Sequence, residues 1–223
     1  MSQASGARVA AAIAIGGAVL AVASNLLFGL ALGLDTSELS AVPRYSSVPP
    51  ERAGLVRWGA LTDMLGYYLP AIPVAVYLRR RLTDGFTADL ATVGGVAYAL
   101  IGSMGAAALA ATAPSLLRDG SAEAAALLEA LTNLVVVGWW QTLQAIPFAM
   151  WMVGMAAALP DHRRGLRAFS WILACAAVIT ALARLLAVEP LALAGVAAWV
   201  VPFPVWLLAV GLMIRHDGAG RVT

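Results

Sequence analysis

From Trp58 to Arg81 the chain reads WGALTDMLGYYLPAIPVAVYLRRR. The part from Trp58 to Leu78 is long enough to cross a hydrocarbon core of ~30 Å as a helix, which takes roughly 20 residues. Three consecutive arginines, Arg79, Arg80 and Arg81, close it. Its apolar residues run on without period-two alternation. That pattern favours a helix over a barrel strand, since only these two structures satisfy every backbone polar group in lipid.

Five more runs of this kind occur: Val9 to Leu34, Leu90 to Ala113, Asn133 to Leu159, Leu166 to Val188 and Leu191 to Ile214. The expected fold is therefore all-α, a polytopic transmembrane helical bundle of about six spanning helices forming one domain over residues 1–223. Composition agrees. The chain is 61% hydrophobic and only 12% charged, with a mean hydropathy of +0.85. Soluble domains carry about twice that charge, so the polar coat of a soluble surface is missing and the lipid bilayer is the first partner to expect.

The net charge is +2, which does not point to nucleic acid. All the basic residues other than histidine are arginine, and their placement sets direction. Arg8, Arg79, Arg80, Arg81, Arg163, Arg164, Arg167, Arg215 and Arg221 fall on one side; Arg44, Arg52, Arg57 and Arg118 fall on the other. By the positive-inside rule both termini are expected in the cytoplasm, with the chain in the plasma membrane. Ala21-Val22-Ala23 resembles a signal-peptidase site, but the apolar run continues to Leu34, too long for a signal h-region. Helix one is expected to stay uncleaved.

Most connections are short. Asp35 to Arg57, with Pro43, Pro49 and Pro50, reads as an external loop, ordered to mobile, and as a plain connector. Ser121 to Leu131 is helical in pattern, with Ser121 at the N-cap, and should project outward or lie in the interface. Cys175 cannot form an internal disulfide and reads as a packing residue in an apolar run.

Two segments resemble one another. Ala60-Leu61-Thr62-Asp63 recurs as Ala130-Leu131-Thr132-Asn133, and Leu69-Pro70-Ala71-Ile72-Pro73 as Leu143-Gln144-Ala145-Ile146-Pro147. A parallel repeat would relate helices two and three to four and five. Chance in an Ala- and Leu-rich chain accounts for it equally well.

Polar groups inside a span are functional candidates because an unpaired charge there costs ~2.5–3.5 kcal/mol. Asp63 lies ~8 Å below the outer boundary, and Arg184 lies at similar depth on helix five. Equal depth and opposite charge pair them, as a gate, a ligand pair or, preferred here, a structural clamp; Arg184 snorkelling outward is the competing account. On helix four, Asn133, Trp140, Gln144 and Trp151 recur at one-face spacing, with Gln141 beside them. Such residues line a cavity for an amphipathic ligand or glue helices together. The candidate ligand-binding set is Asn25, Asp63, Tyr67, Trp140, Gln141, Gln144 and Arg184.

Gly29 and Gly33 form a GxxxG on helix one. Gly95, Ala99, Gly102, Ala106 and Ala110 form a small-residue stripe that places helix three centrally and offers faces for a homo-oligomer. Pro70, Pro73, Pro147, Pro202 and Pro204 should kink helices two, four and six. With only His162 and His216 in the chain, both at cytoplasmic ends, no bis-histidine haem, zinc site or His-based triad fits inside the bilayer. No Walker A, dinucleotide or HExxH motif occurs. No cofactor or metal is expected, and the balance leans against an enzyme.

Arg57 to Leu82, RWGALTDMLGYYLPAIPVAVYLRRRL, resembles helix two of the bacterial six-helix membrane proteins grouped as domain of unknown function 4386, with an Arg, a Gly, an Asp, an apolar stretch and a basic exit. Trp151 to Trp171 is similar in layout to the end of their helix four. The resemblance implies architecture and brings no activity. The functional expectation is a non-enzymatic bundle that packs with partners or binds a lipid-like, amphipathic small molecule. The alternatives are a small transporter or permease subunit and, last, a membrane-embedded enzyme.

Overall fold

The computed structural model describes residues 3–34, 44–81 and 85–219; Pro43 and Arg221 fall outside them. Its described residues form helices and turns without a strand, and six helical stretches are long and apolar enough to cross a membrane. Span one is α1 (Gln3–Ala31). Span two is α2 (Ala53–Asp63), a π-helical stretch Met64–Tyr68, and α3 (Ala71–Arg79). Span three is α4 (Phe86–Asp119). Span four is α5 (Ala122–Thr132), a longer π-helical stretch Asn133–Leu143, and α6 (Ala145–Ala158). Span five is α7 (Arg164–Leu185). Span six is α8 (Glu189–Val200) followed by α9 (Phe203–Ala219).

The spans pack in chain order. Each lies mainly against its neighbours in sequence, and α1 closes the set against α9. The result is a ring of six helices, alternately up and down. Close approach is local: a Cβ on Gly94 would press on the Trp151 backbone nitrogen at 2.5 Å, and one on Gly154 on the Ala91 nitrogen at 2.5 Å. The small stripe of α4 (Gly95, Ala99, Gly102, Ala106 and Ala110) is buried between spans two and four, so helix three is one member of the ring and does not take the central place expected of it. Gly33 does not act as a packing glycine. It lies past the end of α1 with φ +77, in the turn that ends the helix, and Gly29 packs on Leu34 of that same turn. The close contact of α1 is instead made by Gly17, against Pro70 and the Gly66 carbonyl of span two.

All three spans that run away from the loop-bearing end are interrupted at matching places. The leading segments α2, α5 and α8 have 11, 11 and 12 residues. Each following segment then restarts with a proline in its first turn: Pro73 in α3, Pro147 in α6 and Pro204 in α9. Proline has no N–H to give the carbonyl four residues back, and its ring crowds that carbonyl. The two π-helical stretches take up the slack with i→i−5 bonds: Leu69 N–H to Met64 O at 3.0 Å and Gln144 N–H to Trp139 O at 2.7 Å. Both are bracketed by the repeated blocks, beginning just after Asp63 and at Asn133 and ending just before Ala71 and Ala145.

At the loop-bearing end the described part of the loop is anchored. Tyr45 is 2% exposed, with its ring 5.7 Å from that of Phe28, inside a second apolar cluster with Val56, Leu109 and Leu128. The helix Ala122–Thr132 continues span four toward the loop-bearing end, beside α4. Gly120, with φ +68, turns the chain there, and Ser121 Oγ accepts the Ala124 N–H at 3.1 Å.

Candidate functional site

The interrupted spans send aromatic side chains to the middle of the ring. Tyr67 and Tyr68 come from span two, Trp140, Phe148 and Trp151 from span four, and Trp199, Phe203 and Trp206 from span six. Tyr98 of α4 completes the group. Ring centroids stand 5.1 Å apart for Tyr98 and Phe148, 4.6 Å for Phe148 and Trp199, 5.8 Å for Tyr67 and Phe203, and 5.2 Å for Trp151 and Trp206. Edge-on and offset pairs of this sort add ~0.5–1.5 kcal/mol each beyond area burial.

Some polar atoms in this region are satisfied. Pro204 cannot donate to Val200 O, and Tyr67 Oη donates to it instead at 3.2 Å while accepting from Asn25 Nδ2 at 2.9 Å. That relay joins spans one, two and six. Trp140 Nε1 donates to Gly102 O at 3.3 Å, and Trp206 Nε1 to Ser170 Oγ at 2.9 Å.

Others are not. Gln144 is 0% exposed, and neither its Oε1 nor its Nε2 has a hydrogen-bond partner. Gln141 Oε1, Tyr98 Oη, Trp151 Nε1, Trp199 Nε1 and Asp63 Oδ2 are also buried without partners. Gln144, Phe148 and Trp151 follow one another at i, i+4 and i+7, one face of the helix. The unpartnered amide therefore stands one turn from the aromatic group. Buried polar atoms in native proteins are nearly all paired, so the unpartnered amide of Gln144 calls for a partner from outside the chain, water or ligand.

Asp63, at the end of α2, accepts a weak bond from Ser24 Oγ at 3.4 Å, and the Tyr68 phenol lies against it. It does not meet Arg184. The Arg184 side chain is 6% exposed and ion-paired through Nη1 to Glu189 Oε2, with Nε and Nη2 left without partners. The expected Asp63–Arg184 clamp is thus replaced by a local pair across the turn between α7 and α8. Equal depth could not decide the matter, because Glu189 is only five residues away. Asn133 also leaves its expected stripe and is exposed, since the π-helical stretch changes the angular step on which that stripe was drawn.

Of the candidate residues, Trp140, Gln141 and Gln144 share the interrupted part of span four, and Tyr67 and Asn25 form the relay. Asp63 sits beside that relay with Ser24, and Arg184 stands apart. The sequence reading missed Tyr98, Trp199 and Phe203. The available signal was the proline of each restarting segment, which repeats in all three even spans. The chain is a multi-pass helical membrane protein. No protein-family model matches it, and neither the curated proteins nor the solved structures contain a match.

Proposed function

We propose that this protein is a non-enzymatic membrane bundle that holds an amphipathic, ring-bearing small molecule on its axis. Gln144, helped by Gln141, would hydrogen-bond the polar head, and Tyr98, Phe148, Trp151 and Phe203 would pack on the body. The carrying observation is Gln144: a fully buried amide with both ends unpartnered, one helical turn before Phe148, which belongs to a cluster of nine rings. Irregular backbone is tolerated at membrane depth where it is enclosed by protein or lines a site, and π-helical stretches recur at functional positions.

A second reading, a small transporter, is favoured by one observation: three interrupted spans of common direction break at matching places. Discontinuous helices at mid-membrane are where carriers bind and hinge. A cytoplasmic location of both termini in a plasma membrane rests on the arginine asymmetry. Kinship with the domain of unknown function 4386 proteins rests on Arg57–Leu82 and Trp151–Trp171.

The test is native mass spectrometry of protein purified in mild detergent, followed by identification of any released small molecule. A bound mass that is present in the natural protein and lost in Gln144→Leu supports the site. A bare protein, or a mass retained by Gln144→Leu, removes it. Uptake of the identified molecule into vesicles separates the two readings: saturable uptake means a carrier, and binding without uptake means a holder.

A further inference from the structure

A groove of about 510 Å³ opens at the end of the bundle where α7 begins and α9 ends, and none of the nine aromatic residues lines it. Its floor is Leu166, Ala209, Leu212 and Met213; its rim is His162, Arg163, Gly165 and His216. The two chemistries are stacked along the membrane normal. Leu208 and Leu212 are exposed on α9 at 38% and 50%, which only hydrocarbon tolerates over such a surface. One turn further, His216 has an 86% exposed side chain, in the layer of headgroups and water.

We infer that this groove binds an anionic phospholipid of the adjacent leaflet, its phosphate held by Arg163 and His216 and one acyl chain lying on Leu166, Leu212 and Met213. Charge complementarity selects the occupant. Arg163, Arg164, Arg167 and Arg215 surround the rim, against Asp161 and Asp217. Two of the four are engaged, Arg167 by Asp161 at 2.5 Å and Arg163 by Asp217 at 2.5 Å. Among the described residues no ion pair engages Arg164 or Arg215, both of which are exposed. The surplus is therefore positive at the level where phosphates lie. The backbone adds to it. Arg163 gives α7 no side-chain cap, so its first-turn N–H groups carry no side-chain acceptor there, and a Cβ on Gly165 would meet nothing within 4 Å. Basic pockets between helices at a membrane face, above an apolar wall, recognise anionic headgroups. Asp217 has a defined part in this arrangement: it bridges Arg163 and, at 3.7 Å, His216, and stands in for the phosphate when the groove is empty.

The experiment equilibrates the full-length protein in detergent with equal amounts of phosphatidylglycerol and phosphatidylcholine carrying the same acyl chains, and reads the retained ratio by native mass spectrometry. The natural chain should retain the anionic lipid in excess. Arg163→Gln should lower that ratio about fivefold, with a further drop on adding His216→Gln. Asp217→Asn should raise it, because it frees Arg163 and His216, while Asp89→Asn at the same end should leave it unchanged. All four positions lie at the water boundary, and size-exclusion profiles report that the variants fold. Equal retention of both lipids by the natural chain, an unchanged ratio in Arg163→Gln, or equal responses to Asp217→Asn and Asp89→Asn would overturn the inference.

Discussion

Gln144 presents two unpartnered polar atoms to a site that sees no solvent. Leaving a buried amide unsatisfied costs ~1–3 kcal/mol, so its removal should help the empty protein. Gln144→Leu is expected to raise the melting temperature in detergent, by an amount equivalent to ~1–3 kcal/mol, while abolishing ligand retention. A variant that melts lower and binds as before would mean the amide is paired within the bundle. Arg184 poses the opposite case, a charge held by a single partner that is itself 56% exposed. A double-mutant cycle between Arg184→Leu and Glu189→Gln should show coupling of about 0.5–1 kcal/mol, in the range of partly exposed pairs. The same cycle between Arg184→Leu and Asp63→Asn should be additive within ~0.5 kcal/mol. Single polar residues inside apolar runs were legible in the sequence, which is why Gln141, Gln144 and Asp63 were found. Their partners were not, because pairing depends on which way a turn delivers its neighbours, and Ala187 takes φ +54 in the turn that brings Glu189 to Arg184.

At the scale of elements, the prolines announced bends but not their form. An α-helix and a π-helical stretch differ by one step of hydrogen-bond register, and apolar side chains such as those of Leu134 to Val137 satisfy either. The repeated blocks were the better guide. They flank both π-helical stretches, and the four extra residues of the second copy go with its greater length, 11 residues against 5. The shorter stretch depends on Gly66, where an added Cβ would run into the Ala21 backbone nitrogen and the Leu20 carbonyl carbon. Backbone cannot step aside as a side chain can. Gly66→Ala should therefore destabilise by at least the ~1–3 kcal/mol typical of overpacking, and should loosen spans one and two. Gly16→Ala is the control: nothing lies within 4 Å of its Cβ, so the change should be neutral or slightly stabilising in a helix. If both variants melt alike, spans one and two do not meet at Gly66.

At the scale of the whole molecule, six spans in an up-and-down ring bring the start of α1 and the end of α9 to one face, as their mutual packing requires: Gly211 of α9 meets Ala11, Ala14 and Ile15 of α1. The helix count was legible because hydropathy needs no tertiary information. The ring was not, because small residues on α4 and α6 show that backbones approach without saying which backbones. Sidedness follows from charge. Arg8, Arg79, Arg80, Arg81, Arg163, Arg164, Arg167 and Arg215 stand at the face of the termini, and Arg44, Arg52, Arg57 and Arg118 at the other. Arginine resists translocation, so the richer face should be cytoplasmic. Ser46 and His162 are exposed at opposite ends, and Cys175 opens onto an apolar groove of about 470 Å³ between α7 and α8. In a Cys175→Ala background, Ser46→Cys should react with a membrane-impermeant maleimide on intact cells, and His162→Cys only after permeabilisation. The reverse pattern would invert the bundle and place the basic groove in the outer leaflet. Partial labelling of both positions on intact cells would mean insertion in two orientations, and the arginine excess at the face of the termini would then be too weak to hold one.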